Sequence, residues 1–375
     1  MHNIETLFLN ELFEHYNFNK DQFVAYKAIS KGHINTTFVL YFDYGNKVKR
    51  YLLQEINTYV FNDAEKLMNN ISLVSKYCEK KLKEYDKNYK NKTLRIYHSK
   101  NNSSFVKLSN NSYWRVYHYI ENGVTYDESD DENIFYNAGI AIGNFQNLLS
   151  SFDSNQLFDV IKDFHNTPKR YNDFIRIINK SKTDIISSCI DEINFFIKNK
   201  NIANKIQHLI DNKQIPLKVT HNDTKLNNLM FEYKTNEGLC LVDLDTVMKG
   251  CICFDYGDFI RSACNEAKED EKDLSKVVFK KNMFFAFTKG YLSKVKETIS
   301  QIELEHLIDG AITMTYECGL RFLSDYLNGN KYFKIDYPNH NLIRCKTQIH
   351  LCKQIINSQK ELNDFVINTY KNVAI

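Results

Sequence analysis

The spacing of apolar residues changes near residue 121, and this change constrains the fold more than any other feature of the sequence. A helical spacing over 5–16 comes first. Segments rich in β-branched and aromatic residues then predict strands at 23–29, 33–42, 48–56, 93–98, 105–108 and 113–120. Helical spacing interrupts them at 63–81, where apolar residues recur every three or four positions. The first third therefore predicts a five- or six-stranded antiparallel sheet with one helix inserted after its third strand.

Helical patterns dominate after Glu121-Asn122-Gly123, whose residues are typical of a turn. They cover 131–149, 184–199, 275–292, 303–328 and 341–370. Two short strands, 229–232 and 239–243, interrupt them. We expect an α+β chain of two lobes that share one interface, a smaller N-lobe over residues 1–121 and a larger, mainly helical C-lobe over residues 122–375.

Composition narrows the class of partner. The 375 residues carry 49 basic and 46 acidic side chains, so a net charge of +3 gives no field that would favour nucleic acid or a membrane surface. The nine cysteines are scattered, which is typical of reduced thiols in the cytoplasm, and a zinc site at Cys251 and Cys253 lacks a second ligand pair. We expect no signal peptide and no membrane span. We therefore expect a cytoplasmic protein that binds small molecules. The sequence does not indicate its oligomeric state.

The run from His221 to Asn228, with Asp243 fifteen residues further on, carries the strongest chemical signal. H-x-D-x4-N, a hairpin and then a strand-end aspartate is the layout of a kinase catalytic loop and its metal-binding segment. Phosphoryl transfer needs one carboxylate to accept a hydroxyl proton and separate oxygen ligands for magnesium. Asp223 fits the first role, and Asn228 and Asp243 fit the second. The alternative is that these are turn and cap residues.

The same residues resemble the aminoglycoside phosphotransferase and choline kinase superfamily, whose signature is H-G-D-x4-N followed by an I-D-x-D-like segment. More narrowly, the chain resembles the N-acetylhexosamine 1-kinases at 219–228 and 242–248, at Gly32-His33-Ile34-Asn35, at 164–170 and at 319–323. The resemblance implies a bilobal, protein-kinase-like fold, ATP as substrate and Mg²⁺ as cofactor. It also implies transfer of the γ-phosphate to the anomeric hydroxyl of N-acetylglucosamine or N-acetylgalactosamine in carbohydrate metabolism.

The resemblance also implies roles for further residues. The nucleotide-binding set would be Gly32, His33, Asn35, Thr36, Gln54, Tyr119 and Glu121; the substrate-binding set Arg321, His165 and Arg170; and the structural supports His221, Asp245 and Asp255. Three of these assignments have structural alternatives: the loop with a single glycine is an ordinary turn, Asp255 is a helix N-cap, and Arg321 pairs with Asp325.

One departure from kinase patterns keeps other functions open. The third strand has Gln54 where a lysine normally pairs with the α- and β-phosphates, and an amide brings no charge to that contact. This absence favours a pseudokinase that binds nucleotide or sugar, whereas the intact Asp223, Asn228 and Asp243 favour an enzyme. A further alternative is a kinase for an aminoglycoside, choline or another small hydroxyl substrate.

Overall fold

The computed structural model describes residues 6–29 and 35–373. A short helix, α1 (Thr6–His15), precedes the N-lobe sheet. The sheet contains β1 (Phe23–Ile29), β2 (Thr36–Asp43), β3 (Val48–Ile56), β4 (Val106–Lys107) and β5 (Tyr113–His118). Its order is β1-β2-β3-β5-β4, and all neighbouring strands are antiparallel. The inserted helix α2 (Ala64–Lys83) begins after Asp63, whose side chain accepts a hydrogen bond from the Lys66 amide.

Alternate residues along the strands of this sheet face two different environments. One face, with Phe38, Leu53 and Val116, packs against α1 in an aromatic-rich core. The other face carries polar residues, because Thr37 pairs with Gln54 and Gln54 with Arg115 in the strand register. Residues paired across antiparallel strands point to the same side of a sheet, so these three form one row.

The chain leaves the sheet after His118 and enters the C-lobe at β6 (Gly123–Val124), which pairs with β8 (Leu229–Glu232). β8 forms a hairpin with β9 (Gly238–Leu241), and β7 (Lys218–Thr220) pairs with β10 (Met248–Gly250). These short strands hold the segments on either side of the predicted catalytic loop.

Helices form the rest of the C-lobe: α3 (Glu132–Leu148), α4 (Thr167–Ile178), α5 (Thr183–Ser187), α6 (Ile190–Lys198), α7 (Lys200–Asp211), α8 (Ile252–Ala263), α9 (Lys281–Val295), α10 (Gln301–Glu305), α11 (Leu307–Leu327) and α12 (His340–Asn372). Helices α8 and α11 approach closely at two glycines. A Cβ on Gly257 would lie 2.4 Å from the Gly310 carbonyl oxygen, and a Cβ on Gly310 would lie 2.1 Å from that of Cys253. Both positions therefore require glycine.

The larger hydrophobic core joins the two lobes, because Leu67, Met68, Ile71 and Val74 of α2 pack in it together with residues of the C-lobe helices. The predicted fold class, a small antiparallel sheet followed by a mainly helical lobe, is confirmed. No helix in the described part of the chain has the length and apolar character needed to cross a membrane.

Several predicted elements differ from the structure. The strand predicted at 93–98 is wrong: that segment makes one isolated bridge, Ile96 to Tyr117. The helical patterns at 184–199 and 303–328 each contain two helices. Helices α4 and α7 were not predicted, and α8, which was expected to start at Asp255, begins at Ile252.

Candidate active site

Asp255 holds the catalytic loop in place from the first turn of α8. Its two carboxylate oxygens accept hydrogen bonds from the amides of His221, at 2.9 Å, and Asn222, at 2.7 Å. The Thr224 hydroxyl donates to the Asp255 carbonyl oxygen at 2.6 Å. The residue that caps α8 is Cys251. The structure therefore places Asp255 as a brace of the loop and not as an N-cap.

Two further buried residues support Asp255, and the sequence reasoning missed both. Gln146 donates to the Asp255 carboxylate at 3.3 Å, and the Tyr291 hydroxyl donates to the Gln146 oxygen at 2.6 Å. Burial raises the pKa of Asp255, while the charge and amide of His221 and the other hydrogen bonds oppose that rise. The Asp255 carboxylate is thus held by two amides of the loop and by the side chain of Gln146.

Asp223 faces the cleft between the lobes with 28% of its side chain exposed. Its carboxylate accepts from Asn228 Nδ2 at 3.0 Å and pairs with Lys225 at 3.1 Å. Burial alone would lower the pKa of Lys225, but the charges of Asp223 and Asp258 raise it, so this lysine stays a cation beside the carboxylate. The Asn228 amide nitrogen also donates to the Asp223 carbonyl oxygen at 2.8 Å, which leaves its Oδ1 for another partner.

Asn222 explains how the loop departs from the H-G-D signature. Its φ angle is 65°, in the left-handed region that glycine adopts most easily and that asparagine tolerates. The side chain accepts from the Thr220 hydroxyl at 3.0 Å and donates to the Thr246 carbonyl oxygen at 2.9 Å. Asparagine thus supplies the backbone geometry of glycine and also ties the loop to the segment that follows Asp243.

Asp243 has the left-handed backbone conformation as well, with φ 59° and ψ 59°. Its side chain is exposed in the cleft. No hydrogen bond or ion pair joins it to a residue that the structure describes. Desolvation by the surrounding protein and the negative charges of Asp245 and Asp223 raise its pKa to about 7. Strained aspartates with unpaired oxygens are typical of functional sites.

Asp245, in contrast, is buried and pairs with Arg115. Arg115 Nη1 and Nη2 bind its two oxygens at 2.6 and 2.9 Å, and Asn35 Nδ2 donates to Oδ2 at 2.6 Å. His221 supports the same segment, because its Nε2 lies 2.9 Å from the Val242 carbonyl oxygen. Asp245 and His221 therefore connect the segment around Asp243 to its surroundings, and both are buried.

The predicted nucleotide-binding residues are only partly described. Gly32 and His33 lie outside the described residues. Thr36 begins β2, next to Asn35. Gln54 is engaged on both sides, because its oxygen accepts from Arg115 Nε at 3.2 Å and its nitrogen donates to the Thr37 hydroxyl at 3.0 Å. The amide of Gln54 therefore binds protein groups in the place predicted for phosphate.

Tyr119 and Glu121 lie together at the hinge between the lobes. The Arg50 guanidinium stacks over the Tyr119 ring, 4.2 Å from its centroid, and pairs with the Glu121 carboxylate. Arg50 on β3 thus fixes the orientation of both side chains that the sequence assigned to this part of the cleft.

His165 and Arg170 converge on a buried carboxylate that the sequence reasoning missed. Glu317 Oε1 lies 3.0 Å from His165 Nδ1 and 3.3 Å from Arg170 Nε, and Oε2 accepts from the Thr167 hydroxyl at 2.6 Å. The other His165 nitrogen, Nε2, lies 3.2 Å from the carbonyl oxygen of Asn222. This cluster is therefore in direct contact with the catalytic loop.

Arg321 lies one helical turn beyond Glu317 on α11. Its guanidinium stands over the rings of Tyr332 and Phe333, at 5.8 and 5.3 Å. Asp325 does not pair with it, because that carboxylate accepts from the amides of Lys331, Tyr332 and Phe333, each at 2.9 Å. Arg321 makes no ion pair with any residue in 6–29 or 35–373.

Comparison with known proteins agrees with this geometry. Residues 92–273 match the family described as phosphotransferase enzymes, and the matched segment contains the catalytic loop, Asp243 and Asp255. The protein is accordingly an enzyme that transfers phosphate to an alcohol group of a small molecule.

Solved structures of low sequence identity share the fold. Ethanolamine kinase from Plasmodium vivax is 16% identical with a TM-score of 0.58, over 93% of this chain and 90% of the other. Aminoglycoside 2′-phosphotransferase bound to GDP is 9% identical with a TM-score of 0.59, over 92% and 99%. Spectinomycin phosphotransferase bound to ADP and spectinomycin is 13% identical with a TM-score of 0.53, over 98% and 99%.

Proposed function

We propose that this phosphotransferase moves the γ-phosphate of ATP to the anomeric hydroxyl of an N-acetylhexosamine, giving the sugar 1-phosphate. The observation that carries the proposal is the braced catalytic loop, which presents Asp223 to the cleft next to the oxygens of Asn228 and Asp243.

Asp223 is the general base of this proposal. A partly exposed carboxylate held by Asn228 and Lys225 can accept the hydroxyl proton while keeping one orientation. An anomeric hydroxyl is more acidic than an ordinary alcohol, so the base need not be strong. Most of the rate enhancement then comes from positioning.

Magnesium fits the donor set. Asn228 Oδ1 and the unpaired oxygens of Asp243 are hard oxygen ligands, and Mg²⁺ is usually bound by one or two protein oxygens together with phosphate and water. The described residues contain no cluster of three or more acidic, histidine or cysteine ligands that would bind a metal without help from the nucleotide. The ion would neutralise charge on the phosphates that it bridges.

The charges around Arg321 support a neutral, oxygen-rich acceptor over a cationic one. A cationic acceptor needs a free carboxylate, yet Glu317 is already bound by His165, Arg170 and Thr167. Arg321 instead brings an unpaired positive charge. Sugar hydroxyls and acetamide oxygens accept hydrogen bonds from arginine and histidine, whereas choline, ethanolamine and aminoglycosides carry the same charge sign as Arg321.

Release of ADP or GDP tests the proposal. The purified protein is incubated with Mg²⁺, ATP or GTP, and one acceptor at a time: N-acetylglucosamine, N-acetylgalactosamine, choline, ethanolamine or spectinomycin. We expect release above the acceptor-free rate with an N-acetylhexosamine only. Release only with choline or an aminoglycoside would contradict the proposed sugar acceptor, but the protein would still be a phosphotransferase.

Two controls separate the remaining outcomes. Asp223→Asn should abolish acceptor-dependent release, whereas Asp191→Asn, at an exposed position on α6, should leave it unchanged. Nucleotide binding without turnover of any acceptor would favour the pseudokinase alternative.

A further inference from the structure

The lysine missing from β3 leaves open which residue supplies positive charge at the back of the cleft. Arg115 of β5 lies beside that position, because it is paired with Gln54 in the strand register. Its side chain is only 1% exposed. A charge buried to this degree requires partners, and Arg115 has them on both lobes.

The partners of Arg115 form one buried network between the lobes. Both terminal nitrogens bind Asp245 of the C-lobe, at 2.6 and 2.9 Å, and Nε donates to Gln54 at 3.2 Å. Asp245 also accepts from Asn35, whose Oδ1 accepts from the Asn57 amide at 3.0 Å. Arg115 therefore contacts Gln54 of the third strand and Asp245 of the C-lobe directly. Through Asp245 it is also connected to Asn35, which precedes β2.

Arg115 also balances the charge of the site. Asp223, Asp243 and Asp245 bring three carboxylates to one region, and a nucleotide adds further negative charge. Lys225 pairs with Asp223, and Arg115 pairs with Asp245, whereas Asp243 forms no ion pair with any of the described residues. Asp223 and Asp243 thus remain exposed to the cleft, whereas Asp245 is buried.

We propose that Arg115 is a positioning residue of the nucleotide site, in the part of the sheet that lacks the usual lysine. It acts through Asp245: the buried ion pair holds the segment that carries Asp243 against the N-lobe sheet, so that Asp243 is directed at the magnesium and phosphates of a bound nucleotide. An arginine suits the position because its separate nitrogens reach Gln54 and Asp245 at the same time, which the single ammonium of a lysine could not do with the same geometry. The proposal rests on nucleotide binding as part of the proposed function and is independent of the acceptor.

Binding of ADP by calorimetry, with Mg²⁺ and with EDTA, tests this role without an acceptor. The variants are Arg115→Lys, Arg115→Met and the double variant Arg115→Met/Asp245→Leu. Replacement of both members of a buried ion pair by apolar residues often preserves stability, so the double variant separates folding from positioning. Lys205→Met is the control, because it removes an ion pair with Asp309, 2.7 Å long, on the remote helix α7.

We expect Arg115→Met to weaken Mg²⁺-dependent ADP binding by at least tenfold, and Arg115→Lys to recover part of the loss. The double variant should unfold near the wild-type Tm and still bind Mg²⁺ and ADP weakly, while Lys205→Met binds normally. Wild-type affinity in the double variant would overturn the proposal and make the pair purely structural. Absence of ADP binding by the wild type would overturn the proposed function together with this inference, whereas inactivity toward sugars would leave the inference intact.

Discussion

Replacement of Glu317 by glutamine is a sharp test of the cluster that Glu317 forms with His165, Thr167 and Arg170. The lowered pKa of Glu317 gives the size of the expected loss of stability. Burial alone would raise the pKa of Glu317, but the charge of Arg170 and the hydrogen bonds of His165 and Thr167 lower it from 4.5 to about 2. At about 1.36 kcal/mol per pKa unit, these partners favour the carboxylate over its neutral form by about 3 kcal/mol. Glu317→Gln places a neutral group there and should destabilise the fold by about that amount at pH 7.

The pH dependence has a definite sign. A carboxyl group whose pKa is depressed in the folded state contributes stability above its unfolded pKa, and this stability is lost as the pH falls toward the folded value. For a change from 4.5 to about 2, the wild type should lose about 0.8 kcal/mol between pH 7 and pH 4 from this group alone. The glutamine variant lacks that contribution.

Urea unfolding at pH 7, 5 and 4 measures both quantities. The difference between wild type and Glu317→Gln should be largest at pH 7 and should shrink at pH 4. Glu305→Gln, at an exposed position on α10, is the matched control and should change stability little at any pH. Equal unfolding free energies for wild type and Glu317→Gln at pH 7, or a difference that does not change with pH, would refute the reasoning.

Three further variants test the catalytic loop and its metal-binding partner. Asp223→Asn should lower kcat by roughly 10² to 10⁴ with little change in Tm, as measured by ADP release; equal activity would remove its role as the base. Asp243→Ala should erase the part of nucleotide binding that depends on Mg²⁺, and calorimetry showing unchanged metal dependence would contradict the assignment. Asn222→Ala and Asn222→Gly lose the same side-chain hydrogen bonds, but only glycine adopts φ 65° without strain, so alanine should be the less stable by about 1 kcal/mol in thermal or urea unfolding; equal stability would contradict this.

Periodicity predicted the elements that have one buried and one exposed face. The bounds of β1 and β3 match the predicted 23–29 and 48–56, and α2 covers nearly all of 63–81. The sequence indicated only that a helix starts at Asp255. The extent of α8 escaped prediction because residues 252–260 are all buried, and its polar Asp255 and Asp258 point to the catalytic loop and not to solvent. A helix enclosed on all sides has no amphipathic stripe to detect.

Local spacing identified the catalytic loop, but it could not identify partners that come from distant parts of the chain. Arg115 and Glu317 are 130 and 152 residues away from Asp245 and His165, their respective partners. In the sequence, each is visible only as a charged residue inside an apolar run. Arg115 lies in Tyr113-Trp114-Arg115-Val116, and Glu317 ends the run before Cys318. The reasoning applied to Arg321, that a cation among apolar residues requires a partner, extends to both of them.

Phosphorus NMR of the product tests the central claim most directly. The protein is given Mg²⁺ and ATP with either free N-acetylglucosamine or its methyl glycoside, in which the anomeric oxygen is blocked. We predict that only the free sugar is consumed and that the phosphorus of its product couples to the anomeric proton. Turnover of the methyl glycoside at a rate like that of the free sugar would contradict phosphorylation at the anomeric oxygen.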